Sequence, residues 1–312
     1  MSFLVAHLSD LHLPVPPGAL RPLRQLLGKR LLAYLAWQRK RLKSVPAADL
    51  LADVEAARPD HIVVSGDLTN LALPGEFAAA RHWLGRLGPP EDLTVVPGNH
   101  DATVAVPWAM GLGTWQAWMA DDAPVAGAPP FPFLRRRGPI ALIGLSSAVP
   151  TMPGSAAGRL GVVQLARLAP LLDAAGREGL FRILLLHHSP ALGPGGLRKA
   201  LRDRAALQAV LASHGVELVL HGHHHIPLQG QLPGAAGPIP VLGTPQALAG
   251  SHPGWRLHRI LREATGWRLE TMLRVQDPVT GSFSTLQRGT WWLAAPLNTA
   301  DGSSCGSRRA ER

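Results

Sequence analysis

The sequence predicts an α/β chain in which short buried strands alternate with helices, and two observations carry that reading. Five apolar runs, at residues 3–8, 61–65, 93–96, 182–186 and 217–220, are short enough for buried strands. Each ends in a polar block, and longer stretches of helical spacing lie between them. The blocks read Asp10-Leu11-His12, Gly66-Asp67, Gly98-Asn99-His100-Asp101, His187-His188 and Gly222-His223-His224-His225. A buried strand carries little chemistry, but the loop at its end aims side chains into a shared crevice. Five strand ends presenting Asp, His and Asn together are not explained by core packing.

Taken in order, residues 3–8 form the first strand and lead into Asp10. Residues 19–43 follow as an insertion. Leu23, Leu27, Leu31 and Leu35 recur there at i+4, an apolar stripe on a helix, and Pro22 is tolerated in its first turn. Helices at 47–57 and 75–87 each feed the next strand. Residues 104–133 are rich in Trp, Met, Gly and Pro and read as a loop-and-helix segment. Its Trp108, Trp115 and Trp118 either form a packing layer or offer aromatic faces to a base or acyl chain. A strand at 140–146 and helices at 162–172 and 200–214 flank the last two polar blocks. Residues 238–242, and a hairpin at 255–261 and 266–274 alternating apolar residues with Arg, suggest a second sheet with an exposed edge. Regularity fades from about 277, and 300–312 is small, polar and expected to be disordered.

Carboxylate, imidazole and amide oxygen suit divalent first-row metals such as Mn, Fe, Zn, Co or Ni. Two such ions about 3.5–4 Å apart clamp the attacking and leaving oxygens of a phosphoryl displacement. The ordered set of blocks resembles the calcineurin-like metallophosphoesterase family, with its pattern D-x-H, G-D, G-N-H-D/E, H and G-H-x-H. The match spans Asp10 to His225, and every element is present in order. The resemblance implies a four-layer αββα sandwich, two stacked mixed sheets flanked by helices, with metals at the strand C-termini. It implies a domain over 1–275, carrying the 19–43 insertion, and an extension over 276–312. It further implies two divalent cations, with Mn the one expected to serve in vitro. Asp10, His12 and His225 would hold the first, Asp67 would bridge, and Asn99, His187 and His223 would complete the second. His100 would protonate the leaving oxygen and Asp101 would orient His100. The reaction implied is hydrolysis of a phosphodiester or pyrophosphate in a small-molecule substrate, lipid-linked or nucleotide.

The remaining histidines, out of 14, read as structural or surface groups, among them His7, His61, His82, His214, His252 and His258. Of His187-His188 the first is the expected ligand. His221 is read as supporting the site, and His224 as exposed or touching substrate. The single cysteine, Cys305, sits far from every block, excludes a disulfide framework and fits a reducing cytoplasm. No run approaches the ~18–20 apolar residues of a membrane span, and because residues 1–8 lead straight into Asp10 no leader is expected.

Lysine and arginine exceed aspartate and glutamate, 31 against 21. Eight of the net +10 lie at Arg21, Arg24, Lys29, Arg30, Arg39, Lys40, Arg41 and Lys43, with no acid between Asp10 and Asp49. A basic amphipathic segment reads as an element for an anionic membrane surface, a cap packing its leucines on the sandwich, or a nucleic-acid contact. Arg24 and Arg30 are its candidate substrate contacts, and localisation follows as cytoplasmic, peripheral at the inner membrane face. Two substrate branches remain open. Gly66-Asp67-Leu68-Thr69 with Gly98-Asn99-His100-Asp101 resembles class III cyclic-nucleotide phosphodiesterases. The basic, leucine-rich insertion is similar to that of UDP-diacylglucosamine pyrophosphatases. A nuclease is disfavoured because no further DNA-engaging domain is evident. A non-catalytic scaffold is disfavoured because the ligand pattern is intact.

Overall fold

The computed structural model describes residues 2–39, 46–124, 127, 130–277 and 279–294. In chain order its main elements are β1 (Ser2–Leu8), α1 (Lys29–Arg39), α2 (Ala47–Ala56), β2 (His61–Val64), α3 (Pro74–Leu87) and β3 (Leu93–Val95). They continue through β4 (Phe133–Arg137), β5 (Ile140–Gly144), α4 (Val162–Arg177), β6 (Phe181–Leu185), α5 (Arg204–His214) and β7 (Leu218–His221). The last are β8 (Gln229–Leu232), β9 (Ile239–Gly243), β10 (Gly254–Glu263), β11 (Gly266–Gln276) and β12 (Phe283–Ala294). One six-stranded sheet has the order β12-β11-β10-β1-β2-β3 and the other β4-β5-β6-β7-β9-β8. Both are mixed: β1-β2-β3 and β5-β6-β7-β9 are parallel, and antiparallel strands flank them.

The central parallel strands are apolar on both faces because both faces are covered. Ile183 and Leu185 of β6 join the core shared with β1–β3, while Leu184 turns to Leu168 and Leu172 of α4 and Leu207 and Leu211 of α5. On the far side, Leu50 and Val54 of α2 and Phe77, Ala80 and Leu84 of α3 cover the first sheet. The result is helix, sheet, sheet, helix. Parallel strands of both sheets end on one side, and there the polar blocks collect.

Several expectations change. The strand at 238–242 and the 255–274 hairpin do not share a sheet: β9 pairs with β7, whereas β10 pairs antiparallel with β1. The hairpin therefore extends the first sheet, and its expected exposed edge is covered. Regularity does not fade at 277 either, because β12 pairs with β11 from Gln276↔Phe283 to Gly266↔Ala294. Its alternating pattern shows one solvated face, which apolar counting overlooks. The insertion is broken rather than one helix: a 3-10 turn, Leu23–Leu26, precedes α1, and Gly28 between them has φ +65°. Helix α5 starts at Arg204, later than expected. The stretches 40–43 and 300–312, with Cys305, lie outside the described residues.

The Trp-rich segment becomes two 3-10 turns, Trp108–Met110 and Leu112–Trp118. Trp115 donates to the Phe77 carbonyl at 3.0 Å and Trp118 to the Gly88 carbonyl at 3.1 Å. Both rings pack beside α3, as a packing layer requires.

Candidate metal centre

The blocks that follow β1, β2, β3, β6 and β7 converge across the mouth between the two sheets. Asp10, His12, Asp67 and His225 each offer a ligand atom, and those atoms lie within 4.8 Å of one another. His225 Nε2 is 3.1 Å from Asp10 Oδ1, and His12 Nε2 is 3.8 Å from Asp67 Oδ2. A second set abuts the first. His187 Nε2 lies 3.3 Å from Asp67 Oδ2 and 3.2 Å from Asn99 Oδ1, with the His223 ring 5.2 Å from the His187 ring. Asp67 is the hinge between them. Its Oδ1 accepts the His100 backbone N–H at 2.7 Å, so Oδ2 alone faces both sets.

Backbone geometry marks the same residues. Asp10, His12, Asp67, His223 and His225 all adopt positive φ, from 43° to 75°. Such conformations cost about 1–3 kcal/mol each in a non-glycine residue and persist where function over-determines them. The glycines of the blocks permit the crowding. A Cβ on Gly98 would strike the Asp67 carboxylate, and one on Gly222 would strike Ser9 Oγ and approach Asp10 Oδ2 at 2.6 Å.

The donor set fits a pair of cations. Burial alone would raise the Asp10 and Asp67 carboxyls, yet surrounding imidazoles, His225 at Asp10 and His187 at Asp67, hold both well below the usual carboxylate range. Burial lowers His12 to about 3, assisted by His100, and pushes His223 far down with help from His188 and His187. Neutral imidazole with a free lone pair is the metal-binding form. His223 Nε2 is buried and has no hydrogen-bond partner among the described residues, a rare condition unless something else satisfies it. Burial also lowers His187, but the Asp67 and Asp10 charges override it and carry the group up to about 9. The two buried carboxylates thus draw positive charge into the pocket.

Ring orientation is fixed by backbone carbonyls. His187 Nδ1 donates to the Ser65 carbonyl at 2.6 Å, turning Nε2 to Asp67 and Asn99. His100 Nδ1 donates to the Asn70 carbonyl at 2.9 Å. Here the expected role of Asp101 is corrected. Its carboxylate accepts the N–H groups of Asp67, Thr69 and Gly98 and the Thr69 hydroxyl, at 2.8–3.0 Å, and it does not bond to the His100 ring. It staples the two loops together, and burial with the Asp67 charge raises it to about 6. Ser65 and Asn70 escaped the sequence reading because any residue supplies a carbonyl.

His188 is engaged elsewhere, with Nδ1 2.8 Å from Ser147 Oγ and Nε2 3.0 Å from the Ala156 carbonyl. His221 is buried with Nδ1 on the Gly222 carbonyl, and His224 is half-buried beside Gly193. Arg30 is not among the residues gathered at the cluster. Its guanidinium donates to the carbonyls of Leu71, Ala72 and Gln25, which fastens α1 to the loop after β2. Arg24 is exposed, lining a shallow surface hollow with Pro22, Pro74, Pro107 and Met110.

A family model of calcineurin-like phosphoesterases matches residues 3–227. A probable cyclic nucleotide phosphodiesterase of Synechococcus is 29% identical over 230 residues, covering 72% of this chain and 74% of that one. The glycerophosphodiester phosphodiesterase GpdQ of Enterobacter lignolyticus is 45% identical over 56 residues, 17% of this chain and 19% of that protein. Among solved structures, a dimetal phosphatase from Danio rerio superposes with a TM-score of 0.56 at 14% identity, covering 91% of this chain and 98% of its own. That last likeness concerns the fold.

Proposed function

The chain belongs to the calcineurin-like phosphoesterase family, and on that footing we propose that it is a phosphodiesterase served by two divalent cations. That it is a hydrolase of phosphoester bonds follows from the family and its relatives. In this reading Asp10, His12, Asp67 and His225 hold one cation, and Asp67, Asn99, His187 and His223 the other. The observation that carries it is the single Asp67 oxygen facing both groups of nitrogens.

When bound, the cations would supply Lewis-acid polarisation of the phosphoryl oxygens and activation of the attacking water. The chain does the rest. Two carboxylates stay ionised, and His12 and His223 stay neutral with lone pairs available. The Ser65 carbonyl fixes the His187 tautomer. The Asn70 carbonyl holds Nδ1–H of His100, which leaves Nε2 as the atom that gains or gives a proton. That ring sits 4.7 Å from the His12 ring, edge to face, at the border of the cluster. Its place suits protonation of the departing oxygen. The staple from Asp101 keeps the Asp67 and Asn99 loops in register.

A diester is favoured over a monoester by the two curated relatives, both named as phosphodiesterases. The test is hydrolysis of bis(p-nitrophenyl) phosphate with Mn²⁺ added. Asp67→Ala and Asn99→Ala are expected to lose at least about 10²-fold in turnover, the scale of removing a group that stabilises the transition state. Wild-type rates in either variant would refute the assignment.

A further inference from the structure

An ordinary surface helix buries its apolar stripe and exposes its charges. In the insertion two cations turn inward while the leucines stay in solvent. Arg30 is turned inward onto the Leu71 and Ala72 carbonyls, and Lys29 Nζ donates to Thr151 Oγ1 at 3.0 Å. Leu26, Ala33 and Tyr34 supply the contact with the body. Leu23 and Leu27 are left 71% and 72% exposed, and Leu31, Leu32 and Leu35 also stand in solvent. Scattered exposed leucines need no explanation, but a stripe held outward by polar clasps does.

The same character continues around the crevice. Lys29 joins α1 to the loop that carries exposed Met152. That loop is bonded to Arg198 through Gly154 and Ala156, next to exposed Leu197. Gly193 in turn packs against His224, two residues before exposed Ile226. Exposed cations accompany them at Arg21, Arg24, Arg198 and Lys199. No Asp or Glu occurs at 11–48, 146–160, 189–202 or 224–228. The rim that these segments form beside the candidate site is thus apolar and basic.

We infer that this rim docks on an anionic lipid surface, with the crevice facing the bilayer. The substrate class that follows is an amphiphilic phosphodiester whose organic part stays in the membrane, an extension that rests on the phosphodiesterase reading. Charge decides the occupant. A second copy would set one cationic rim against another, because a two-fold interface pairs like with like. A nucleic acid would use the cations but gives no reason to keep five leucines wet. An anionic bilayer takes both, the leucines entering the acyl boundary and the cations meeting the headgroups. Leu71, whose carbonyl holds Arg30, adjoins Asn70, whose carbonyl holds His100. The docked helix is therefore tied directly to the loop that orients the proposed proton donor.

The experiment is co-sedimentation of the full chain with vesicles of equal parts phosphatidylglycerol and phosphatidylcholine, against phosphatidylcholine alone, run beside bis(p-nitrophenyl) phosphate turnover in solution. Binding is expected to the anionic vesicles only and to weaken with salt. A Leu27→Asp, Leu31→Asp double variant, and separately Met152→Asp, should each weaken it about tenfold or more, with turnover of the soluble diester unchanged. Equal binding to both vesicles, unchanged binding in the variants, or a dimer that these substitutions dissociate would overturn the docking. Loss of soluble turnover in the wild type would instead strike the phosphodiesterase reading and leave vesicle binding as a separate result.

Discussion

At the residue scale, the partner that holds one ring nitrogen decides what the other nitrogen of a histidine is left to do. His187 and His100 are tethered by carbonyls of Ser65 and Asn70, whereas His188 spends both nitrogens on Ser147 and Ala156. Adjacent residues on an extended chain point in opposite directions, which separates His187 from His188. The expected outcome for His100→Ala is a loss that depends on the leaving group. Turnover of an aryl diester should fall modestly, and that of an alkyl diester about 10²-fold or more, because only an alkoxide needs a proton to depart. Equal losses on the two substrates would remove the acid role. Asp101→Asn should act differently. It keeps oxygen for some of the backbone N–H groups, so it is expected to lower thermal stability while leaving the leaving-group dependence intact. The residue types were legible from the blocks. The positive φ of five of them was not, since Asp and His carry no sequence mark of that conformation.

At the element scale, two pieces behave against their local pattern. Strand β12 is solvated on one face, yet Trp291 and Leu293 pack on the core and its backbone closes the β11 edge. A chain ended at residue 276 is expected to melt lower and to aggregate, because a long hydrophobic strand edge is then exposed. Light scattering and thermal melts check this, and an unchanged melt would mean that β12 is dispensable. Strand β10 carries the second surprise. Its His258 is buried between the sheets, and burial, then the Arg256 charge, lowers it to about 3. The unfolded group titrates near its ordinary value of 6.5 and the folded one near 3, so below 6.5 the unfolded chain binds the extra proton. Its share of stability is whole above pH 6.5 and falls as pH drops toward 3, by about 1.4 kcal/mol per pH unit. His258→Phe should flatten the decline in urea midpoint between pH 7 and pH 5; an identical slope would clear this residue of any part in acid sensitivity.

At the scale of the whole molecule, the centre is assembled by both sheets: Asp10, His12, Asp67 and Asn99 follow strands of one, and His187, His223 and His225 follow strands of the other. A cation held there ties the layers together and stabilises the folded state by mass action, about 2.7 kcal/mol at a hundredfold excess over its dissociation constant. Mn²⁺ is therefore expected to raise the melting temperature of the wild type and to do so far less in Asp67→Ala. A chelator should reverse the rise without unfolding the chain at room temperature, since two large apolar clusters pack the sheets and helices together. An Asp67→Ala protein stabilised as much as the wild type would place the metal elsewhere.

By itself the sequence determined the alternation of short strands and helices, the chemistry of the residues at the strand ends, and the excess of positive charge in the insertion. These are local properties, written in spacing and side-chain type. Tertiary structure alone decided that the hairpin joins β1, that Asp101 serves backbone amides, that one oxygen of Asp67 faces both ligand sets, and that the leucines of α1 point outward. Each of those rests on which carbonyl, amide or strand edge lies across a gap of many residues. Hydrogen-bonding backbone is the same at every position, so the sequence carries no label for it, and only the folded chain brings donor and acceptor together.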